Sequence, residues 1–270
     1  MKNIKTTLLL IVLVILGAKA QDTSVELFSI PLSNPGQPGK LIVEQIAGSI
    51  TVAAHDGREV IVKASFGNKK AHYKDDKPKN GMKRISNSSL SIGGEEKDNV
   101  VQIINEQYNR TTNLDIKVPK NCSLKLKTVN EGNIDVEGVN GEFEISNVNG
   151  EVTLLQVNGS ASIDTVNGDI KVVFNSIAAD ANMAFSSLNG DLDVTFPKSI
   201  RADMKLRTDM GEILTDFDMK VIPQKTQVET SEKSDTYKVK LEQWVRGEIN
   251  GGGPEMLFKT WNGDILIRAE

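Results

Sequence analysis

From Gly132 to Gly168 the apolar side chains recur on a fixed beat. Counting from each glycine they fall at the second, fourth and seventh places: Ile134, Val136, Val139; Phe143, Ile145, Val148; Val152, Leu154, Val157; Ala161, Ile163, Val166. The first and third places are mostly polar, as in Glu142 and Glu144 or Ser160 and Ser162. Alternation over so few residues, with β-branched side chains prominent, predicts short half-buried strands. Val-Asn-Gly closes the units at 139–141, 148–150, 157–159 and 166–168. Asn and Gly accept positive φ most readily, so each such step predicts a sharp turn. The chain holds eight Asn-Gly steps, several-fold more than its residue counts would give by chance.

A repeat of this kind predicts stacked units that gain a core only from their neighbours. If consecutive strands ran antiparallel through two-residue turns, every seventh-place valine would oppose a polar first-place residue. In a parallel stack equivalent positions lie over one another, so valine meets valine and asparagine meets asparagine. The pattern favours the second arrangement, a parallel β-helix or solenoid, with an antiparallel β meander or sandwich as the alternative. Gly132, Gly150 and Gly168 are 18 apart, and Gly168, Gly190 and Gly211 are 22 and 21 apart. One rung is therefore read as 18–22 residues with two main strands. About a dozen rungs and a body of roughly 60 Å follow at ordinary strand spacing. Cys122 takes a glycine's place one unit earlier, with Leu124, Leu126 and Val129 after it at the same offsets.

Outside the beat, 30–39 is a Pro-, Gly- and Ser-rich loop, and strand patterning returns at 41–44, 48–52, 59–63, 100–104, 114–118 and 237–245. A polar insertion is expected near 67–98; it opens with Lys69, Lys70, Lys74, Lys77, Lys79 and Lys83 around Tyr73. The first twenty residues pair Lys2 and Lys5 with an apolar run at 8–16 and a small-residue exit at Ala18-Lys19-Ala20, the pattern of a cleaved signal peptide. The run is too short to cross a bilayer. The expected organisation is a signal peptide at 1–20 and one β-solenoid repeat domain at 21–270, with no transmembrane segment in the mature chain.

Loss of Lys2, Lys5 and Lys19 with the leader takes the formal net charge from −4 to −7. No basic excess points to nucleic acid as a partner. With Cys122 the single cysteine, an intramolecular disulfide is excluded even in an oxidising compartment. The histidines, His55 and His72, lack metal-ligand spacing; Asp75 and Asp76 follow His72 in a loop, a weak zinc signal. No Gly-x-Ser-x-Gly elbow occurs. One catalytic test is worth posing, because outward acids on neighbouring strands can reach the spacing of two-carboxylate sugar chemistry. Asp135, Glu144, Glu151, Asp169 and Asp191 are those acids. Each turn has a single glycine and only some are followed by Asp, unlike calcium-binding nonapeptide coils. The lysine-rich loop reads as solvated, with an anionic glycan or membrane surface as its binding alternative. No catalytic, cofactor or metal residues are therefore assigned.

The segments Ile30-Pro31-Leu32-Ser33-Asn34-Pro35-Gly36, Gly48-Ser49-Ile50-Thr51-Val52 and Ile249-Asn250-Gly251-Gly252-Gly253-Pro254 carry a resemblance, as do the Asn-Gly-Asp-[Ile/Leu] steps at 167–170, 189–192 and 262–265. Together they resemble the bacterial putative adhesin family of β-strand-repeat proteins, a sequence-defined group without assigned function. The resemblance covers most of the mature chain and implies an exported, right-handed parallel coil; it supplies no catalytic residue. Two corners depart from its pattern: Met210-Gly211 stands where Asn-Gly is expected, and Trp261 precedes the last Asn-Gly.

The expected function is a non-enzymatic extracytoplasmic scaffold or adhesin-like binding protein of the cell envelope, in the periplasm or at the cell surface. Its partner would be an envelope protein or a glycan, and an exposed terminal strand would allow self-association. The alternative is a carbohydrate-active enzyme using the outward carboxylates.

Overall fold

The computed structural model describes residues 25–66, 92–106, 110–223, 227–230, 237–240 and 244–270. The signal peptide, His72 with Asp75 and Asp76, and the lysine-rich loop lie outside them, as does the expected insertion up to residue 91. The first strands are β1 (Val25–Pro31), β2 (Gly39–Glu44), β3 (Ile50–His55), β4 (Glu59–Phe66), β5 (Ile92–Lys97), β6 (Val100–Asn105) and β7 (Thr112–Pro119). The repeat supplies β8 (Cys122–Thr128), β9 (Ile134–Glu137), β10 (Asn140–Asn149), β11 (Val152–Asn167) and β12 (Ile170–Ile177). After it come β13 (Met183–Ser186), β14 (Leu192–Phe196), β15 (Ala202–Met210), β16 (Ile213–Thr215) and β17 (Met219–Ile222). A separate hairpin, β18 (Gln227–Thr230) with β19 (Tyr237–Lys240), precedes β20 (Val245–Ile249), β21 (Glu255–Asn262) and β22 (Ile265–Ala269). No helix occurs among the described residues, and none is long and apolar enough to cross a membrane.

The fold is all-β and mostly parallel. One ladder runs β6, β2, β8, β10, the second half of β11, β13, β21 and β15. The other runs β7, β3, β9, the first half of β11, β12, β14, β22 and β16. All the pairings within the two ladders are parallel, with like over like: Gly141 beside Gly159, Phe143 beside Ala161, Ile145 beside Ile163. The ladders face each other across one core that includes Leu41, Ile116, Leu126, Leu154 and Phe185. Their backbones form a single twenty-stranded sheet, nearly closed and barrel-like.

Stacking order departs from chain order at both ends. The ladders give eight tiers of two strands, fewer than the dozen rungs expected, because chain outside the repeat is spent on capping. The tier β2–β3 lies between β6–β7 and β8–β9, and the tier β21–β22 lies between β13–β14 and β15–β16. Segments near each end of the described chain are thus paired on both sides, which opposes fraying. The glycine marks after 190 correspondingly do not stack in chain order: Gly263 lies on Gly190, and Gly211 on Gly263. Antiparallel pairing in the large sheet is confined to the outer tiers. At one end β4 and β1 follow β7 while β5 follows β6; at the other, β20 and β17 follow β15. These strands cover tiers that would otherwise expose an unpaired edge.

The seventh-place valines do not all face inward. Val139 and Val157 are buried, whereas Val166 is 37% exposed and Val148 half-buried. Gly138 (φ 70°) and Gln156 (φ 54°) explain the difference: each adds a left-handed residue just before its valine and resets which side faces in. At the other corner alternation continues unbroken, so Asn147 and Thr165 take the inward place and the valine turns out. The donors of those inward polar groups are taken up by the corner itself, while the Asn147 side-chain oxygen is buried without a partner. Asn147 donates to the Gly132 carbonyl (3.0 Å), Ser187 to Gly168 (3.1 Å), Thr260 to Gly190 (3.0 Å) and Thr208 to Gly263 (2.8 Å). A buried carbonyl left unpaired is costly, and one side chain per tier removes that cost.

Candidate functional site

In-register parallel stacking turns every outward position into a column. Two columns are asparagine ladders. In one, Asn140 donates its side-chain amide to Asn121 (3.0 Å) and Asn158 to Asn140 (2.6 Å), with the Ser176 hydroxyl donating to Asn158 (2.7 Å). In the other, Asn149 donates to Asn130 (3.2 Å), Asn167 to Asn149 (2.9 Å) and Asn189 to Asn167 (2.9 Å). Immediately before this second series stands an outward apolar stripe: Ile46, Val129, Val148, Val166, Leu188 and Trp261, one per tier. It becomes most exposed toward the C-terminal end, where Leu188 is 48% and Trp261 52% accessible.

Of the five acids singled out from the sequence, Glu144 lies on the first ladder and the other four lie along the second. Glu144 lies on the outside of β10 and pairs with Lys125 at 2.7 Å. Asp135 lies on β9 of the opposite ladder, where burial first and the Glu151 charge second push its carboxyl above the ordinary range. Glu151, Asp169 and Asp191 do form a column, continued by Asp264 and Glu212. Its aspartates are occupied structurally. Asp169 accepts from the Asp191 amide (2.8 Å), Asp191 from the Asp264 amide (2.7 Å) and Asp264 from the Glu212 amide (2.8 Å). Each carboxylate therefore caps the backbone of the next tier, as Asn133 does for Glu151 (3.1 Å).

His55 is likewise engaged at a turn. Its Nε2 lies 2.8 Å from the Glu59 carbonyl, and its Nδ1 accepts from the Gly57 amide at 3.2 Å. Among the described residues no three His, Cys, Asp or Glu side chains are grouped to hold a metal. Cys122 is buried in its glycine slot beside Gly39, and burial pushes its thiol up to about 12. The thiolate is the reactive form, so we expect Ellman's reagent at pH 8 to leave the folded protein unmodified and to titrate one thiol once the chain is unfolded in guanidinium chloride.

The densest outward chemistry is at the C-terminal end of the first ladder, and sequence reasoning did not assign it. On β15, Arg207 grips Asp209 with two parallel bonds, Nε to Oδ2 at 3.1 Å and Nη2 to Oδ1 at 2.8 Å. The bond holds the Asp209 carboxyl below its ordinary range, and Lys259 adds to the shift. Trp244, just before β20, receives the Lys205 ammonium 4.8 Å and the Arg207 guanidinium 5.9 Å from its ring centre, a cation–π arrangement. On the other side β21 places Lys259 beside Arg207 and Asn262 beside Met210, so Trp261 lies level with Asp209. Both tryptophans of the chain thus flank one strand, and Met210, 64% exposed, ends that strand one residue beyond Asp209. The signal was present in the sequence: Met210 and Trp261 are the two corners that break the Val-Asn-Gly and Asn-Gly pattern, and stacking makes them neighbours.

Residues 128–250 match the family described as Toastrack DUF4097. The chain is also similar to two solved structures. One is a putative cell adhesion protein from Clostridium sporogenes ATCC 15579, 14% identical, covering 92% of this chain and 100% of that one with a TM-score of 0.42. The other is a putative adhesin from Bacteroides fragilis NCTC 9343, 13% identical, covering 92% of this chain and 97% of that one with a TM-score of 0.43. No curated protein matches the chain.

Proposed function

Starting from a chain whose residues 128–250 match the Toastrack DUF4097 family, we propose a non-enzymatic extracytoplasmic scaffold with adhesin-like binding through its outer faces. Its place is the bacterial cell envelope, reached through the leader pattern at 1–20. The tiers wind as a right-handed parallel β-helix, the hand that parallel crossovers take almost without exception. The observation that carries this reading is the outward apolar stripe running beside an asparagine ladder over successive tiers. A monomer surface has no internal use for a continuous apolar column, and such columns mark interaction sites.

The amide-capping role of Asp169, Asp191 and Asp264 supports a structural use of the acidic column. Cell fractionation followed by cross-linked pull-down tests the proposal. The protein is expected in the envelope fraction with its N-terminus at Gln21, bringing down envelope material that is lost when Val148 and Val166 are both changed to Lys. Polysaccharide hydrolysis by the purified protein, abolished in Asp169→Asn with its melting temperature unchanged, would replace the scaffold with a carbohydrate-active enzyme.

A further inference from the structure

We propose that the patch formed by Trp244, Arg207, Asp209, Trp261 and Lys259 is a binding platform for an acidic polysaccharide. This inference rests on the reading of the outer face as a binding surface and gives it a ligand class. The stripe's most exposed aromatic, Trp261, presents a flat apolar ring, the kind of surface on which the C–H face of a pyranose stacks. Two strand spacings, about 10 Å, separate its strand from the one that follows Trp244, a span that a short run of sugar units covers.

Between the two rings lie the polar groups such a ligand requires. The Arg207–Asp209 fork is fixed by its own two bonds, and Asp209 is largely covered, with 13% of its side chain accessible. A pre-ordered donor and acceptor pair loses little freedom on meeting hydroxyl groups. Asn262, exposed beside Met210, offers a further amide at the edge.

The charge balance selects an acidic ligand. Around the two rings Arg207 and Lys259 flank the Asp209 carboxylate, and Lys205 and Arg246 lie opposite each other one outward place before, with the acids Asp203, Glu248 and Glu255 one row farther from the rings. This local cationic excess sits on a chain with a formal net charge of −4. Charge complementarity of that sort attracts an anion against the field of the rest of the molecule. A bilayer fits less well, because the apolar residues lie in a flat column beside an asparagine ladder, and no protruding loop among the described residues carries them. An extended polymer matches a flat surface of that shape.

The test is calorimetric titration of the purified protein with oligomers of a uronic acid such as alginate, alongside neutral dextran and vesicles of phosphatidylglycerol. Binding of the oligouronate, with quenching of tryptophan fluorescence and weakening at high salt, is expected. Affinity should fall about tenfold in Trp261→Ala and in Lys259→Met, as for an aromatic or cationic anchor, and should persist in Trp261→Phe. Unchanged melting of these variants shows that the fold is intact. No oligouronate binding, equal binding of dextran, undiminished binding by Trp261→Ala, or binding of vesicles in its place would overturn the proposal. If Trp261→Ala still captures envelope material in the pull-down while the wild-type protein ignores oligouronate, the platform falls and the scaffold reading stands.

Discussion

Replacing Phe258 by alanine should cost about 4 kcal/mol of stability, in the range for removing a buried aromatic side chain. Phe258 is fully buried on β21 and belongs to a train of rings. It stacks on Phe185 with centroids 4.9 Å apart and meets Phe196 edge-on at 6.4 Å, and Phe196 stacks on Phe174 at 5.4 Å. Truncation leaves a hole in the middle of that train, flanked by strands held in register on both sides, so collapse is resisted and most of the cavity persists. The place of β21 enlarges the effect. Among the described residues this strand alone joins β13 to β15 in the first ladder, so loosening it leaves the last tier held to the body by β22 and β16. Urea denaturation should show a lower midpoint and, if the last tier detaches first, a second and earlier transition. Trp261→Ala, three residues along the same strand but exposed, should change stability by no more than about 0.5 kcal/mol. A loss below about 1 kcal/mol for Phe258→Ala would mean that the inserted tier is not part of the cooperative core.

That inserted tier also marks where sequence reading reaches its limit. Alternation and Asn-Gly spacing made the strands, the parallel stacking and the two-strand tier legible between 122 and 177, because there each unit stacks on the one before it in the chain. From Gly190 onward the spacing of 21 to Gly211 suggested one more consecutive rung, yet Gly263 occupies that level. Periodicity reports that a segment is a tier; it carries no information on which tier it joins. The same limit applies to β2–β3, whose strand patterning at 41–44 and 48–52 carries no sign that this tier lies between β6–β7 and β8–β9. The inward or outward sense of Val139 and Val148 was hidden for a different reason. It depends on whether one left-handed residue, Gly138 or Gln156, breaks the alternation, and Gln156 gives no sign of that in its identity. The candidate platform was half visible. Met210 and Trp261 announced themselves as breaks in the pattern, but the place of Trp244 across β15 from Trp261 arises only from the antiparallel return of β20.

The corner glycines carry the second large prediction, Gly168→Ala. A methyl group at Gly168 would lie 2.1 Å from the Gly150 carbonyl oxygen and 2.6 Å from its carbon. Both are backbone atoms of the tier beneath, so no side chain can swing aside. Relief requires the two tiers to move apart, which stretches the bond from the Gly150 amide to the Asn167 carbonyl (3.0 Å) and the asparagine contact from Asn167 to Asn149. Overpacking against immovable backbone typically costs 1–3 kcal/mol, and this geometry belongs at the upper end, about 3 kcal/mol. The same clash recurs at Gly132, Gly150, Gly190 and Gly263, each against the glycine of its neighbouring tier. The repeated glycine is thus a condition of close stacking first and of chain reversal second, which is why it survives at Gly211 where asparagine has given way to Met210. Gly93→Ala is the matched control: a methyl group there meets nothing within 4 Å, and the change should leave the urea midpoint within about 0.5 kcal/mol of wild type. Equal effects at the two sites would mean that the substitutions act through the flexibility of the unfolded chain, and that the corners tolerate a side chain.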